Sequence, residues 1–116
     1  MVTGGSVVAL KYKDGAIVAT DTIASYGSLA RYEDITRVQK VTDDALLAAG
    51  GDYSDYQQLL KLIEQKDTAD YVLDDKHSLS PSALHAWITR LMYQRRSKMD
   101  PLWNSLVILG FRDGEP

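Results

Sequence analysis

Between residues 6 and 22 apolar side chains fall on alternate positions. In Ser6-Val7-Val8-Ala9-Leu10-Lys11-Tyr12, Val8, Leu10 and Tyr12 share one face, and Val7, Ala9 and Lys11 share the other. This two-residue period belongs to a strand. The pattern resumes in Ala16–Thr22 after Asp14-Gly15. Asp-Gly between two such runs predicts a β-hairpin, because a type I′ turn needs positive φ at both central residues. One face carries almost no charge and the other is small and apolar, so the hairpin is expected to be covered on both sides, in a sandwich of sheets.

Residues 23–34 are mixed around Gly27 and read as a loop. Strict alternation returns over 35–41, with Ile35, Arg37, Gln39 and Val41 against Thr36, Val38 and Lys40. Thr42-Asp43-Asp44 predict a turn, and residues 45–49 a short buried strand. Gly50-Gly51 close that strand where the backbone must turn tightly or be approached closely.

From Asp52 the period changes. Tyr56, Leu59, Leu60 and Ile63 follow helical spacing, with Asp52 or Ser54 as N-cap. Residues 65–78 are polar and are expected to hold the helix end and a loop. Ser80-Pro81 opens a second helix, with Ser as N-cap and Pro at the first position, where its missing N–H costs nothing. Leu84, Trp87, Ile88, Leu91 and Met92 line one face, and Trp87 reads as core. Arg95, Arg96 and Lys98 suit the negative end of the helix dipole, and Asp100-Pro101 stops the helix. Residues 103–112 predict another strand, and Asp113-Gly114 a second tight turn. The expected order is four strands, two helices, one strand, and a turn whose returning strand is absent. On this reading residues 1–116 are the N-terminal portion of a single longer domain, with no linker or repeat inside it.

Composition narrows the function classes. Thirteen Lys and Arg against sixteen Asp and Glu give a formal charge of −3, which argues against nucleic-acid binding driven by bulk charge. With no cysteine there is no disulfide framework, thiol nucleophile or cysteine zinc site. His77, in a polar loop, and His85, in a helix, lack metal-ligand spacing, so no metal or cofactor is expected. No apolar run is long enough to span a membrane. The N-terminus lacks a basic leader and a long apolar region, so the expected compartment is the cell interior.

Three stretches carry a resemblance. They are Ser25-Tyr26-Gly27-Ser28-Leu29 with Arg31, then Gly51-Asp52-Tyr53-Ser54-Asp55, and above all the thirteen residues from Met92 to Asn104, Met-Tyr-Gln-Arg-Arg-Ser-Lys-Met-Asp-Pro-Leu-Trp-Asn. With the hairpin, the glycine corner and two consecutive helices, they resemble the first half of a proteasome beta-type subunit, most closely a non-catalytic one. The resemblance implies an α+β fold, the four-layer αββα sandwich of N-terminal-nucleophile hydrolases. It also implies residence in the cytoplasm and nucleus, and partnership with alpha- and beta-type subunits in a 28-subunit core that degrades ubiquitin-marked proteins.

Active members of that family attack the peptide carbonyl with the hydroxyl of an N-terminal threonine, its own amine serving as base. They also need a lysine and an acid that holds it. Laid on this chain through Lys11, Asp21 and Gly51 without gaps, the nucleophile position falls on Gly5, the lysine on Arg37 and the acid on Asp21. Glycine has no nucleophile, and arginine does not give up its proton. The resemblance therefore implies a chain that is not an enzyme, with an Asp21–Arg37 ion pair as a remnant. Thr3 lies two residues early, roughly 6–7 Å along an extended strand, and Ser6 lies one residue late, facing the other way. The rival readings are an active endopeptidase processed to Thr3 and a stand-alone binding domain of the same fold.

Other features have plainer readings. Thr3-Gly4-Gly5-Ser6 precedes a strand rather than following one, so it reads as a flexible N-terminus and not a phosphate loop. The acid pairs Asp52/Asp55 and Asp74/Asp75 read as caps and loop solvation. Tyr93, Arg95, Arg96, Lys98 and Trp103 are candidates for a subunit interface between rings. The competing readings of the basic run are a solvated helix end and, least of all, a nucleic-acid site.

Overall fold

The computed structural model describes residues 1–72 and 79–116, so His77, Asp74 and Asp75 lie outside the described residues. Eight strands and two helices follow in the order β1 (Val2–Gly4), β2 (Val7–Tyr12), β3 (Gly15–Thr20), β4 (Ala24–Tyr26), β5 (Leu29–Tyr32), β6 (Val38–Thr42), β7 (Ala45–Asp52), α1 (Tyr53–Val72), α2 (Pro81–Ser97) and β8 (Asn104–Gly110). The strand β7 organises the main sheet. One of its edges pairs antiparallel with β8 along its length, and the other is shared by β6 and then β1. The strands β4 and β5 continue the sheet outward from β1. The hairpin β2–β3 forms a second sheet resting against β7 and β8.

The helices cover the opposite face of the main sheet, and the alternation of β7 decides what they meet. Ala45, Leu47 and Ala49 join Tyr56, Leu59 and Ile63 of α1, Leu84 and Ile88 of α2, and Leu102 in one buried core. Leu60, Trp87, Leu91, Met92, Leu106 and Ile108 pack around it, so both predicted helical faces are the ones buried. The caps are also as read. Asp52 Oδ1 accepts from Ser54 N at 2.8 Å and Asp55 N at 3.3 Å. Ser80 Oγ accepts from Ala83 N at 3.2 Å. Helix α1 runs on to Val72, through polar residues expected to contain its end.

Four expectations are corrected. Residues 23–34 hold a hairpin, β4–β5, whose two-residue turn has Gly27 at a φ of 62°. Gly-Ser between short runs is itself a hairpin signal. The N-terminal residues are not a flexible tail: Val2–Gly4 form β1, paired on both edges with β4 and β7. These hairpin and N-terminal strands are why the main chain has seven strands before the helices rather than four. The first Asp-Gly does not form the turn, because Tyr12 pairs with Gly15 and Lys13-Asp14 are the loop residues, neither with positive φ. The second does: Asp113 and Gly114 have φ of 53° and 79°, and Arg112 and Glu115 exchange both backbone hydrogen bonds. Finally, the β2–β3 hairpin is covered on one side only, since Val8, Leu10, Tyr12 and Ile17 are exposed.

Candidate functional site

The centre of the candidate site is Arg37, which enters from the segment just before β6 and is only 3% exposed. A buried guanidinium must find an acceptor for each of its five N–H groups. It does so here. Nη1 donates to Gly5 O at 2.7 Å and Ala49 O at 3.2 Å. Nη2 donates to Asp21 Oδ1 at 2.9 Å and Ser6 O at 3.3 Å. Nε donates to Asp21 O at 3.3 Å. The side chain thus ties together the β1–β2 junction, the segment after β3, and β7.

The path of Arg37 depends on glycine. A Cβ on Gly4 would stand 2.6 Å from Arg37 Cδ, so β1 can cross above the guanidinium only without a side chain there. A Cβ on Gly50 would stand 2.5 Å from Gly5 O, so that glycine lets the β1–β2 junction lie on β7. The Asp21 side chain, half exposed, also accepts from Ile23 N at 3.2 Å and so is held at the end of the hairpin.

The structure therefore brings Gly5, Asp21 and Arg37 to one point. It gives Thr3 and Ser6 no comparable place. Thr3 is mid-strand, paired with Ser25 and Asp52, and Ser6 contributes its carbonyl to Arg37. A cleft of about 400 Å³ opens beside Gly5 between the two sheets, lined by Gly5, Ser6, Val7, Gly50, Gly51, Ser105, Leu106 and Val107. Its hydroxyls have no base among those lining residues, and a serine without one is a weak nucleophile. Among the described residues no group of three His, Cys, Asp or Glu could hold a metal.

The second candidate set lies at the end of α2. Tyr93, Arg96, Lys98 and Trp103 are exposed. Arg95 is not free for a partner: it makes an ion pair of 3.1 Å with Asp100 and donates from Nε to Asp100 O at 2.9 Å. Sequence reasoning missed Met99, which is the most exposed large apolar side chain here and has a φ of 59°. It also missed Asp55 as a clamp, accepting from Trp103 N at 3.0 Å.

Beneath the site, Tyr56 is 2% exposed and its hydroxyl has no partner. Burial, then the neighbouring Tyr53, push its pKa up to about 12 against an opposing pull from Arg37. A raised phenol favours the folded state below the unfolded value near 10 and loses that stabilisation as pH rises toward the folded value. Stability is therefore expected to fall by roughly 2–3 kcal/mol between about pH 10 and 12 from this group. Chemical denaturation of the full-length protein across that range, with Tyr56→Phe for comparison, measures it: the variant lacks this component.

Helices on one face of a sheet with a second sheet on the other define an α+β sandwich of the N-terminal-nucleophile hydrolase type. The family model described as "Proteasome subunit" matches residues 1–116. The chain belongs to the proteasome subunit family. It is 51% identical over 115 residues to "Proteasome subunit beta type-4" of Xenopus laevis, covering 99% of this chain and 48% of that protein. It is 47% identical over 115 residues to "Probable proteasome subunit beta type-7" of Schizosaccharomyces pombe, covering 99% and 44%. With "Proteasome subunit beta type-4" of Arabidopsis thaliana the identity is 46% over 114 residues, covering 98% and 46%. The chain thus spans about half the length of these curated relatives.

Proposed function

We propose that the protein is a non-catalytic, structural beta-type subunit of the 20S proteasome core, equivalent to the seventh position of the beta ring. It occupies one fixed place in the ring, walls the chamber and supports neighbouring subunits whose threonines cleave the substrate. The observation that carries this reading is the state of Gly5. The position aligned with the nucleophile has no side chain, directly follows a strand paired on both edges, and has its carbonyl bound by Arg37. A ring of seven needs two different side surfaces on each subunit, so a subunit without chemistry is still required to close it. Its partners on this reading are alpha- and beta-type subunits of a 28-subunit particle in the cytoplasm and nucleus, acting in ubiquitin-dependent degradation.

The exposed outer face of β2–β3 fits the same reading. Val8, Leu10, Tyr12 and Ile17 stand where an αββα sandwich carries its second helical layer, which supports residues 1–116 being the first portion of such a domain.

Installing the missing side chain tests the proposal. A Cβ on Gly5 meets nothing closer than Asp21 Oδ2 at 3.5 Å, so Gly5→Thr is expected to fold and assemble. It is also expected to remain unlabelled by a threonine-directed electrophile, because Arg37 cannot supply a lysine's proton transfers. Labelling of the wild-type chain in the same particles contradicts the proposal, whereas labelling of the variant alone would assign the loss of chemistry to the Gly5 side chain by itself.

A further inference from the structure

We propose that the free edge of β6, with the flank of α1 beside it, is a strand-addition groove. Its occupant is an extended segment of a partner protein that carries lysine or arginine at alternate positions. The groove is lined by none of the residues that surround the cleft beside Gly5.

The first observation is a row of backbone groups turned away from the sheet. Among the described residues β6 has one partner strand, β7, and its other edge ends the sheet. Ala49 N donates to Arg37 O at 3.2 Å, and the register continues as Val38↔Ala48, Gln39↔Leu47 and Lys40↔Leu46. In an antiparallel ladder, hydrogen-bonded and non-hydrogen-bonded pairs alternate. Arg37 and Gln39 therefore turn their main-chain groups to β7, and Val38 and Lys40 turn theirs outward. An outward row of this kind is a template for one more strand. The irregularity of β6, between Lys40 and Thr42, comes after both outward residues.

The second observation is a channel along that edge. Two adjoining hollows of about 290 and 220 Å³ share Lys40, Val41 and Asp67. Half-buried Val41 and Leu60 form an apolar floor, and exposed Asp43, Glu64 and Asp67 stand along it.

Charge and spacing choose the occupant. Among the described residues none of these three carboxylates makes an ion pair. They do not gather about a point, since no group of three His, Cys, Asp or Glu among the described residues could hold a metal ion. Glu64 and Asp67 lie three positions apart on α1, which sets their Cβ atoms about 5–6 Å apart. Alternate side chains of an added strand are spaced by roughly 6–7 Å. Lysine or arginine at that spacing lays its aliphatic stem over Val41 and Leu60 and brings its charged head to a carboxylate. A second copy of this chain fits poorly, because it would bring the same carboxylates to face these. A phosphate backbone is repelled for the same reason.

The test is photo-labelling of the natively isolated full-length protein, in whatever assembly holds it, after threonine-directed sites have been blocked with an irreversible electrophile. The probe is the capped peptide Lys-Val-Lys-Val-Lys-Val-Lys with a benzophenone side chain in place of its central valine. Mass spectrometry maps the adducts, which are expected within residues 38–43 or 60–67 of this chain. A probe with glutamate for lysine should label about tenfold less, as should wild-type probe on Glu64→Lys/Asp67→Lys. Methylating alternate amide nitrogens of the probe should cut labelling about tenfold in one phase and not in the other, because only one set faces β6. Lys40→Pro removes an outward N–H without taking a bond from β7, and should lose labelling likewise. Thermal melting of both protein variants accompanies the labelling, and the changes made in the probe do not depend on their folding. Equal labelling by the acidic probe, equal tolerance of the two methylation phases, or no adduct within the two segments overturns the groove.

Discussion

Arg37→Ala is expected to destabilise the folded protein by about 3–5 kcal/mol, the usual penalty for breaking a buried charge network by removing one partner. The reason is the number of groups it abandons. The carbonyls of Gly5, Ser6, Asp21 and Ala49 all lose a donor at once. Ala49 is itself buried in the core, 2% exposed, so its carbonyl is cut off from bulk solvent. The loss should not fall on the ion pair. Asp21 is 56% exposed on its side chain, so Asp21→Ala is expected to cost only about 1 kcal/mol, as for other solvent-screened pairs. Arg37→Lys should fall between, at about 2 kcal/mol, because an ammonium has three donors for five acceptors. Chemical denaturation of the full-length protein, followed by the fluorescence of Trp87 and Trp103, gives the order. If lysine proves as good as arginine, the five-fold network is not what holds the β1–β2 junction.

Gly51→Ala is the other large effect, expected at about 3–5 kcal/mol from backbone strain and overpacking together. Gly51 has a φ of 97°, and a Cβ there would stand 2.2 Å from Trp103 O. That oxygen is backbone, held by Asp52 N, so it cannot move aside cheaply. The substitution would push β8 away from β7 where α1 begins and where the chain returns from the end of α2. Gly27→Ala makes a contrast: its φ is also positive, at 62°, but nothing lies within 4 Å of the added carbon. Only the strain remains there, about 1 kcal/mol. The same denaturation experiment reads both, and equal losses would mean that the close approach of β8 contributes nothing.

The parts of the fold legible in the sequence were those with a local signal. The helices were marked by caps and by a single apolar face each, and Asp52, Ser80, Leu59 and Leu84 all act as their spacing implied. The second Asp-Gly turn was legible for the same reason. The first was misplaced because Gly15 is needed beside Tyr12 in the ladder, a cross-strand demand that the dipeptide alone does not display. Strand β1 was illegible, since three residues with two glycines nearby have little strand propensity of their own. They are strand because β4 and β7 offer them both edges. At the site, the meeting of Gly5, Asp21 and Arg37 was legible only through resemblance. The backbone acceptors around Arg37 and the space left at Gly4 come from tertiary contacts between residues far apart in sequence, and the turn of Arg95 to Asp100 depends on how the chain folds back at the end of α2, which the basic run alone does not display.

The central claim, a proteasome beta subunit without its own chemistry, is tested most directly on natively isolated core particles treated with a threonine-directed electrophile. The mass of each subunit is then measured. The account predicts that the full-length form of this chain is present among the subunits at its unmodified mass, while other beta-type subunits in the same particles gain the mass of the probe. A probe adduct on this chain, carried by a processed N-terminal Thr3, would contradict it.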